Sequence, residues 1–245
     1  MVSNRAQTPT NRPRLPEGLR IYAIGDVHGR ADLLDQVLLR IDRHQAALPA
    51  VRPVEVFLGD YIDRGPASRQ VLNRLIARSW GGETVFLNGN HETFIGGFLN
   101  DPTTLDEWRY NGGLETLLSY GLMPSVRIDL AEQMRLAAAL RQALHESHRL
   151  FLGRLESSFT CGYFFFVHAG VRPGIPLTKQ RQEDLLWIRE DFLLYETDFG
   201  KIVVHGHTPV HEPDIRPNRI NIDTGAYATG RLTCLMLEDD RRQFI

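Results

Sequence analysis

The chain has 245 residues, of which 42% are hydrophobic and 24% charged, a balance that fits a sizeable core and argues against disorder along most of its length. Lys and Arg total 28 against 30 Asp and Glu, so the net charge of −2 gives no general reason to expect nucleic-acid binding. With only two cysteines, Cys161 and Cys234, a disulfide-stapled scaffold is excluded, and no apolar run approaches the ~20 residues of a transmembrane helix.

Residues 1–18 lack the apolar stretch of a secretory signal and read as a flexible tail, so a cytoplasmic location is expected. From residue 19 to 245 no linker or repeat interrupts the pattern, which predicts a single domain. Residues 19–24 form a short apolar run ending in Gly25-Asp26, the signature of a buried strand. Leu33, Leu34, Val37, Leu38 and Ile41 then recur at helical spacing. A second strand, 54–58, ends in Gly59-Asp60, and Pro66 suits the first turn of a helix through Leu72, Leu75 and Ile76. A third strand, 84–87, leads to Gly89-Asn90. Strand, helix, strand, helix, strand implies a largely parallel sheet in an α/β fold. The segment 93–158 reads as a mostly helical insertion, with Asp129 and Glu132 resembling a capping pair. Strands return at 163–167 and 201–204 around a helix near 184–194, followed by strand-like 219–222 and 232–237 with Gly225 and Gly230 between them.

Five clusters terminate predicted strands: GDVHG (25–29), GDYIDRG (59–65), GNHE (89–92), HAG (168–170) and HGHT (205–208). In open α/β sheets ligands bind outside the carboxyl ends of strands, so these segments are expected to converge. They offer carboxylate, imidazole and amide groups but no thiolate, a donor set suited to Mn²⁺, Fe or Zn²⁺. Asp26 and His28 are two apart and point to one side of an extended chain. Asp60 has two oxygens and can bridge two ions, while Asn90, His168 and His207 add an amide oxygen and two imidazoles.

In this order the motifs resemble the phosphoprotein phosphatase family of calcineurin-like metallophosphoesterases, across residues 20–210 and into the final strands. The compact bacterial and phage members resemble the chain most, and NGGLETLLSYG (111–121) and DLLWIRE (184–190) strengthen that resemblance. The eukaryotic pattern has Arg before GNHE, where this chain has Asn88. The resemblance implies a central β-sandwich of two mixed sheets flanked by helices, a four-layer αββα fold with a helical cap insertion. It implies two divalent ions, Mn²⁺ foremost, with Fe or Zn²⁺ as alternatives. Asp26, His28 and Asp60 would hold one ion, and Asp60, Asn90, His168 and His207 the other, with His205 and Asp223 outside the set. A metal-bridging hydroxide would attack phosphorus. His91 would protonate the leaving group, Asp63 would orient His91, and Arg64 and a helix-borne Arg189 would clamp phosphate oxygens.

The function expected on this basis is a serine/threonine protein phosphatase acting on a phosphorylated protein or a small phosphate ester, without nucleic-acid or membrane partners. Two other readings stand beside it, a symmetrical diadenosine tetraphosphate hydrolase and a non-catalytic metal-binding scaffold. Asp63 and Glu92 favour the phosphatase, because the tetraphosphatases typically lack the first and carry Asp for the second. Trp187, Phe192 and Leu193 read as helix packing, and Trp108 and Tyr110 as cap or core residues.

Overall fold

A computed structural model describes residues 13–49 and 52–245. The first half alternates β1 (Leu19–Ile24), α1 (Ala31–Ala47), β2 (Arg52–Phe57), α2 (Ser68–Arg78) and β3 (Glu83–Phe86). A helical stretch follows: α3 (Asn90–Asn100), α4 (Leu105–Tyr110), α5 (Gly113–Ser119), α6 (Leu130–Ala143) and α7 (Glu146–Leu152). The second half holds β4 (Ser158–Cys161), β5 (Phe164–Val167), α8 (Gln182–Trp187), α9 (Glu190–Leu193), β6 (Ile202–His205), β7 (Asp214–Ile215) and β8 (Arg219–Asn221). The chain ends with α10 (Ala226–Thr229), β9 (Cys234–Glu238) and β10 (Arg241–Phe244).

The strands form two mixed five-stranded sheets, ordered β10-β9-β1-β2-β3 and β4-β5-β6-β8-β7. β1, β2 and β3 run parallel, and β9 returns antiparallel to β1. In the second sheet β5, β6 and β8 are parallel. Strand alternation sorts the side chains into layers. Ile21, Ala23, Val54 and Val56 meet Phe164, Phe166, Val204 and Ile220 between the sheets. Tyr22 and Ile24 point the other way, against Leu34, Val37 and Ile41 of α1 and the helical cap. Phe165 and Val203 cover the far side of the second sheet with Leu185, Ile188 and Phe192. The result is the expected four-layer arrangement. The parallel strands are short apolar runs because both of their faces are buried.

Three local expectations differ. The last residues assigned to the tail pack on the domain: Leu15 is 2% exposed in the inter-sheet core, and its N–H donates to Asp239 O at 2.9 Å. A single apolar residue flanked by prolines carries no periodicity, so composition missed it. Residues 1–12 lie outside the described residues. The helix expected near 184–194 is two short helices, and Arg189 sits in the break with φ −130 and ψ −100. Asp129 does cap α6 by accepting from Glu132 N at 3.0 Å, but the Glu132 carboxylate turns to Ser125 N and Arg135 instead of closing a reciprocal box.

Candidate metal centre

The loops after β1, β2, β3, β5 and β6 bring the five clusters together at the carboxyl ends of both sheets. Six non-glycine residues have positive φ among the described residues, and five of them, His28, Asp60, Asp63, Arg64 and His207, belong to these loops. Each such residue costs about 1–3 kcal/mol unless its surroundings hold it. Glu92 supplies much of that restraint. Its buried carboxylate accepts from Asp60 N at 2.9 Å, Tyr61 N at 2.8 Å and Gly89 N at 3.0 Å. Burial and the neighbouring Asp60 push its pKa up to about 8, against the pull of those N–H donors. Close packing does the rest: a Cβ at Gly206 would collide with Asp26 Oδ1.

Asp60 stands at the middle. Its Oδ2 lies 3.4 Å from His28 Nε2, and its Oδ1 lies 3.4 Å from His168 Nε2. One carboxylate therefore faces a different imidazole with each oxygen. Asn90 Oδ1 is 2.9 Å from both His168 Nε2 and His207 Nδ1. Two buried groups, His28 with Asp60 and His91, and Asp60 with His168 and His207, have donor atoms within 4.8 Å of one another. Asp26 is in neither group. Its Oδ2 accepts from His207 N at 2.9 Å, while its Oδ1 is buried without a hydrogen-bond partner, as is His207 Nε2.

The orphaned Asp26 Oδ1 is the test of whether the site fits a metal. A buried acceptor left unpaired costs about 1–3 kcal/mol, and a cation would satisfy that carboxylate oxygen, with Asn90 Oδ1 and His207 Nδ1 as further lone-pair donors facing each other at 2.9 Å. Burial, together with Asp223 and Asp60, raises the Asp26 carboxyl well above its ordinary value, so added positive charge is favourable here. Burial pushes His28 down to about 3 and His207 to about 2, and it lowers His168 as well. All three are thus neutral near pH 7, the form in which imidazole ligates metals. The residues fit divalent cations.

His91 differs from the other imidazoles. Burial pulls its pKa down, but Asp60 and a hydrogen bond to Asp63 outweigh it and raise the pKa above the ordinary value. His91 Nδ1 lies 2.7 Å from Asp63 Oδ2. Asp63 is held in turn by Trp108 Nε1 at 2.9 Å and Thr116 Oγ1 at 2.6 Å, both from the helical stretch. An imidazole oriented by a carboxylate that favours its acid form is suited to donate a proton.

Both arginines lie beside the cluster, with no carboxylate in ion-pairing range among the described residues. Arg64 is half-buried. Its Nη1 is 3.2 Å from His28 Nε2, and its guanidinium lies 4.8 Å from the centroid of the Tyr227 ring. Arg189 is exposed and donates to Thr208 Oγ1 at 3.3 Å. It is not borne by a helix, because the chain turns at Ile188 before α9 begins. Asp223 Oδ1 accepts from Gly225 N at 2.8 Å, and Asp223 belongs to neither metal-competent group. His205 is buried against the Phe192 ring, 4.9 Å away, and also stands outside both groups.

The roles of several neighbours escaped the sequence reading. Glu92 had a legible signal, a Glu three residues into a helix begun by Gly89. Trp108 and Thr116 reach Asp63 from 45 and 53 residues away, a pairing that no local pattern encodes. Tyr227 sits on α10, a four-residue helix where only turn residues were expected, and its ring is 5.3 Å from that of His28. Trp187 is 41% exposed and stands on the rim, 6.1 Å from the His207 ring and 6.0 Å from Phe94, rather than packing inside a helix bundle.

The chain is similar to asymmetrical bis(5′-nucleosyl)-tetraphosphatases from Anoxybacillus flavithermus, at 26% identity over 86% of this chain and 88% of that protein, and from Halalkalibacterium halodurans, at 28% over 86% and 87%. Its fold is similar to that of a provisionally assigned diadenosine tetraphosphatase (TM-score 0.62, 18% identity, 94% of this chain and 98% of that one). It is also similar to a metallophosphoesterase from Sphaerobacter thermophilus (TM-score 0.51, 19% identity, 93% and 87%). The profile of the calcineurin-like phosphoesterases matches residues 19–238, nearly the whole described chain, and the protein belongs to that family of metal-dependent phosphoesterases.

Proposed function

We propose that the chain hydrolyses dinucleoside tetraphosphates, in the asymmetrical mode named for its relatives rather than the symmetrical mode considered from sequence. The observation that carries this reading is a likeness to tetraphosphatases that spans 86% of the chain. The coarser chemistry, metal-dependent cleavage of a phosphate ester or anhydride, comes with the family. The residues that would hold two divalent ions, Mn²⁺ foremost, are Asp26, His28, Asp60, Asn90, His168 and His207. Bound there, such ions supply positive charge to phosphate oxygens and lower the pKa of water.

The chain's own groups do the remaining work. Arg64 and Arg189 bind the non-bridging oxygens with forked donors. His91 holds a proton on Nε2 for the departing oxygen, and Asp63 keeps the ring oriented and charged. Trp108 and Thr116 fix Asp63, so the acid is in place before substrate arrives.

The Asp63–His91 pair favours a second reading, hydrolysis of phosphoserine or phosphothreonine esters. An alkoxide is a strong base and needs a proton to leave, whereas the phosphate leaving group of an anhydride needs one less. Turnover with Mn²⁺ of diadenosine tetraphosphate and a phosphoseryl peptide separates the two. The proposal expects kcat/KM for the tetraphosphate to be at least on the order of 10-fold higher. A preference for the peptide would replace it with the second reading.

A further inference from the structure

A groove of about 630 Å³ on the outer face of the second sheet is lined by residues that include Leu194, Tyr195, Arg216, Arg219, Asn221 and Thr208, the residue that follows His207. That volume lies within the roughly 300–1,000 Å³ of small-molecule sites. Its origin is in the second sheet. Ile220 faces the inter-sheet core, so its neighbours Arg219 and Asn221 face outward. On that side α8 and α9 cover β5 and β6 with apolar residues, but over β8 the cover ends and the sheet face becomes polar.

The polar floor braces both walls. Arg219 donates to Asp214 Oδ2 at 2.9 Å and to Leu193 O at 3.2 Å, and Asn218 donates to Tyr195 O at 2.8 Å. Asn221 donates to Thr208 O at 2.8 Å and accepts from Asp223 N at 3.0 Å. Asn218, Arg219 and Asn221 are all buried, so the groove is held open by residues with few other conformations. Thr208 is shared: it lines the groove, and its Oγ1 accepts from Arg189. The groove therefore begins where a phosphate-binding guanidinium ends. Its formal charges are balanced, Arg216 and Arg219 against Asp214, to which both are paired, and Glu196.

We propose that this groove seats the nucleoside end of the substrate, the neutral part of a nucleotide whose phosphate is held by Arg189 and the metal centre. This rests on the dinucleoside tetraphosphate reading. Tyr195 and Leu194 present apolar surface to the base, and the ribose lies toward Thr208. The phosphorus next to that ribose is then the one attacked. Water's oxygen bonds to it and the α–β bridging bond breaks. The bridging oxygen leaves with the triphosphate, taking the proton from His91, so the products are AMP and ATP.

Calorimetric titration of the metal-loaded full chain with AMP and with inorganic phosphate tests the groove without turnover. Wild type should bind AMP at least on the order of 10-fold more tightly than phosphate. Leu194→Glu, at a position 77% exposed and tolerant of change, and Tyr195→Ala should remove that advantage while phosphate affinity is kept. Equal affinity of wild type for AMP and phosphate, or an AMP advantage that survives both substitutions, overturns the groove. In H₂¹⁸O the label should appear in AMP, and label in ATP instead overturns the orientation. Failure of wild type to cleave diadenosine tetraphosphate at all would refute the functional reading, a result distinct from failure of AMP to bind.

Discussion

The two flanks of the centre are built differently. On the side of the first sheet, Asp63 is fully buried and bonded to His91, Trp108 and Thr116, and Arg64 is fixed between His28 and the Tyr227 ring. On the side of the second sheet, Arg189 is exposed, and among the described residues its side chain makes one hydrogen bond, to Thr208 Oγ1 at 3.3 Å. The first flank is assembled in advance and carries the proton chemistry. The second is completed by what binds to it, and the open groove lies on that side. Catalysis gains most from groups that need no rearrangement in the transition state, while recognition tolerates groups that settle on the ligand.

The largest test of this contrast is on the preassembled flank. His91→Asn should lower kcat on the order of 10²–10⁴-fold for a phosphoseryl peptide, and less for the tetraphosphate or nitrophenyl phosphate, whose leaving groups need less protonation. Equal losses on all three would remove His91 from the proton-donor role. The same residue sets a pH limb. Because Asp60 and Asp63 raise the His91 pKa, its acid form persists above the ordinary imidazole value of about 6.5, and activity on the peptide should fall only as pH rises through the raised value. Asp63→Asn removes one of the raising charges, so the limb should move to lower pH in a rate profile. An unmoved limb would show that another group titrates.

A smaller effect sharpens the comparison between the arginines. Losing a charge-assisted hydrogen bond costs about 1.5–3 kcal/mol. Arg64→Ala should lower kcat/KM on the order of 100-fold, and Arg189→Ala on the order of 10-fold, chiefly through KM. Steady-state kinetics with the tetraphosphate checks both, and a larger loss at Arg189 would reverse the assignment of the two flanks.

How much of this was legible in the sequence divides along similar lines. The parallel strands and their terminal clusters could be read because apolar runs ending in Gly-Asp or Gly-Asn encode both a strand and its turn locally. The convergence of Asp60 with His168 and His207 followed from the topology of α/β sheets. Contacts made by single residues across long separations could not be read. Leu15 in the core, Trp108 on Asp63 and Tyr227 under Arg64 depend on where distant elements dock. The break at Ile188–Arg189 was hidden because Leu185, Leu186, Ile188 and Phe192 keep an apolar pattern across it. The substrate was the least legible feature: Asp63 favours ester cleavage, while the relatives matched over 86% of the chain are named for an anhydride substrate, and the candidate metal site suits either.

The central claim is that Asp60, whose two oxygens each lie 3.4 Å from a different imidazole, would be shared by two cation sites. Metal content of the purified chain after reconstitution with Mn²⁺, measured by mass spectrometry for wild type and Asp60→Ala, tests it most directly. Wild type should hold two ions per chain and lose all turnover on chelation, and Asp60→Ala should retain fewer than one. Full activity in the metal-stripped wild type, or two ions retained by Asp60→Ala, would contradict the account.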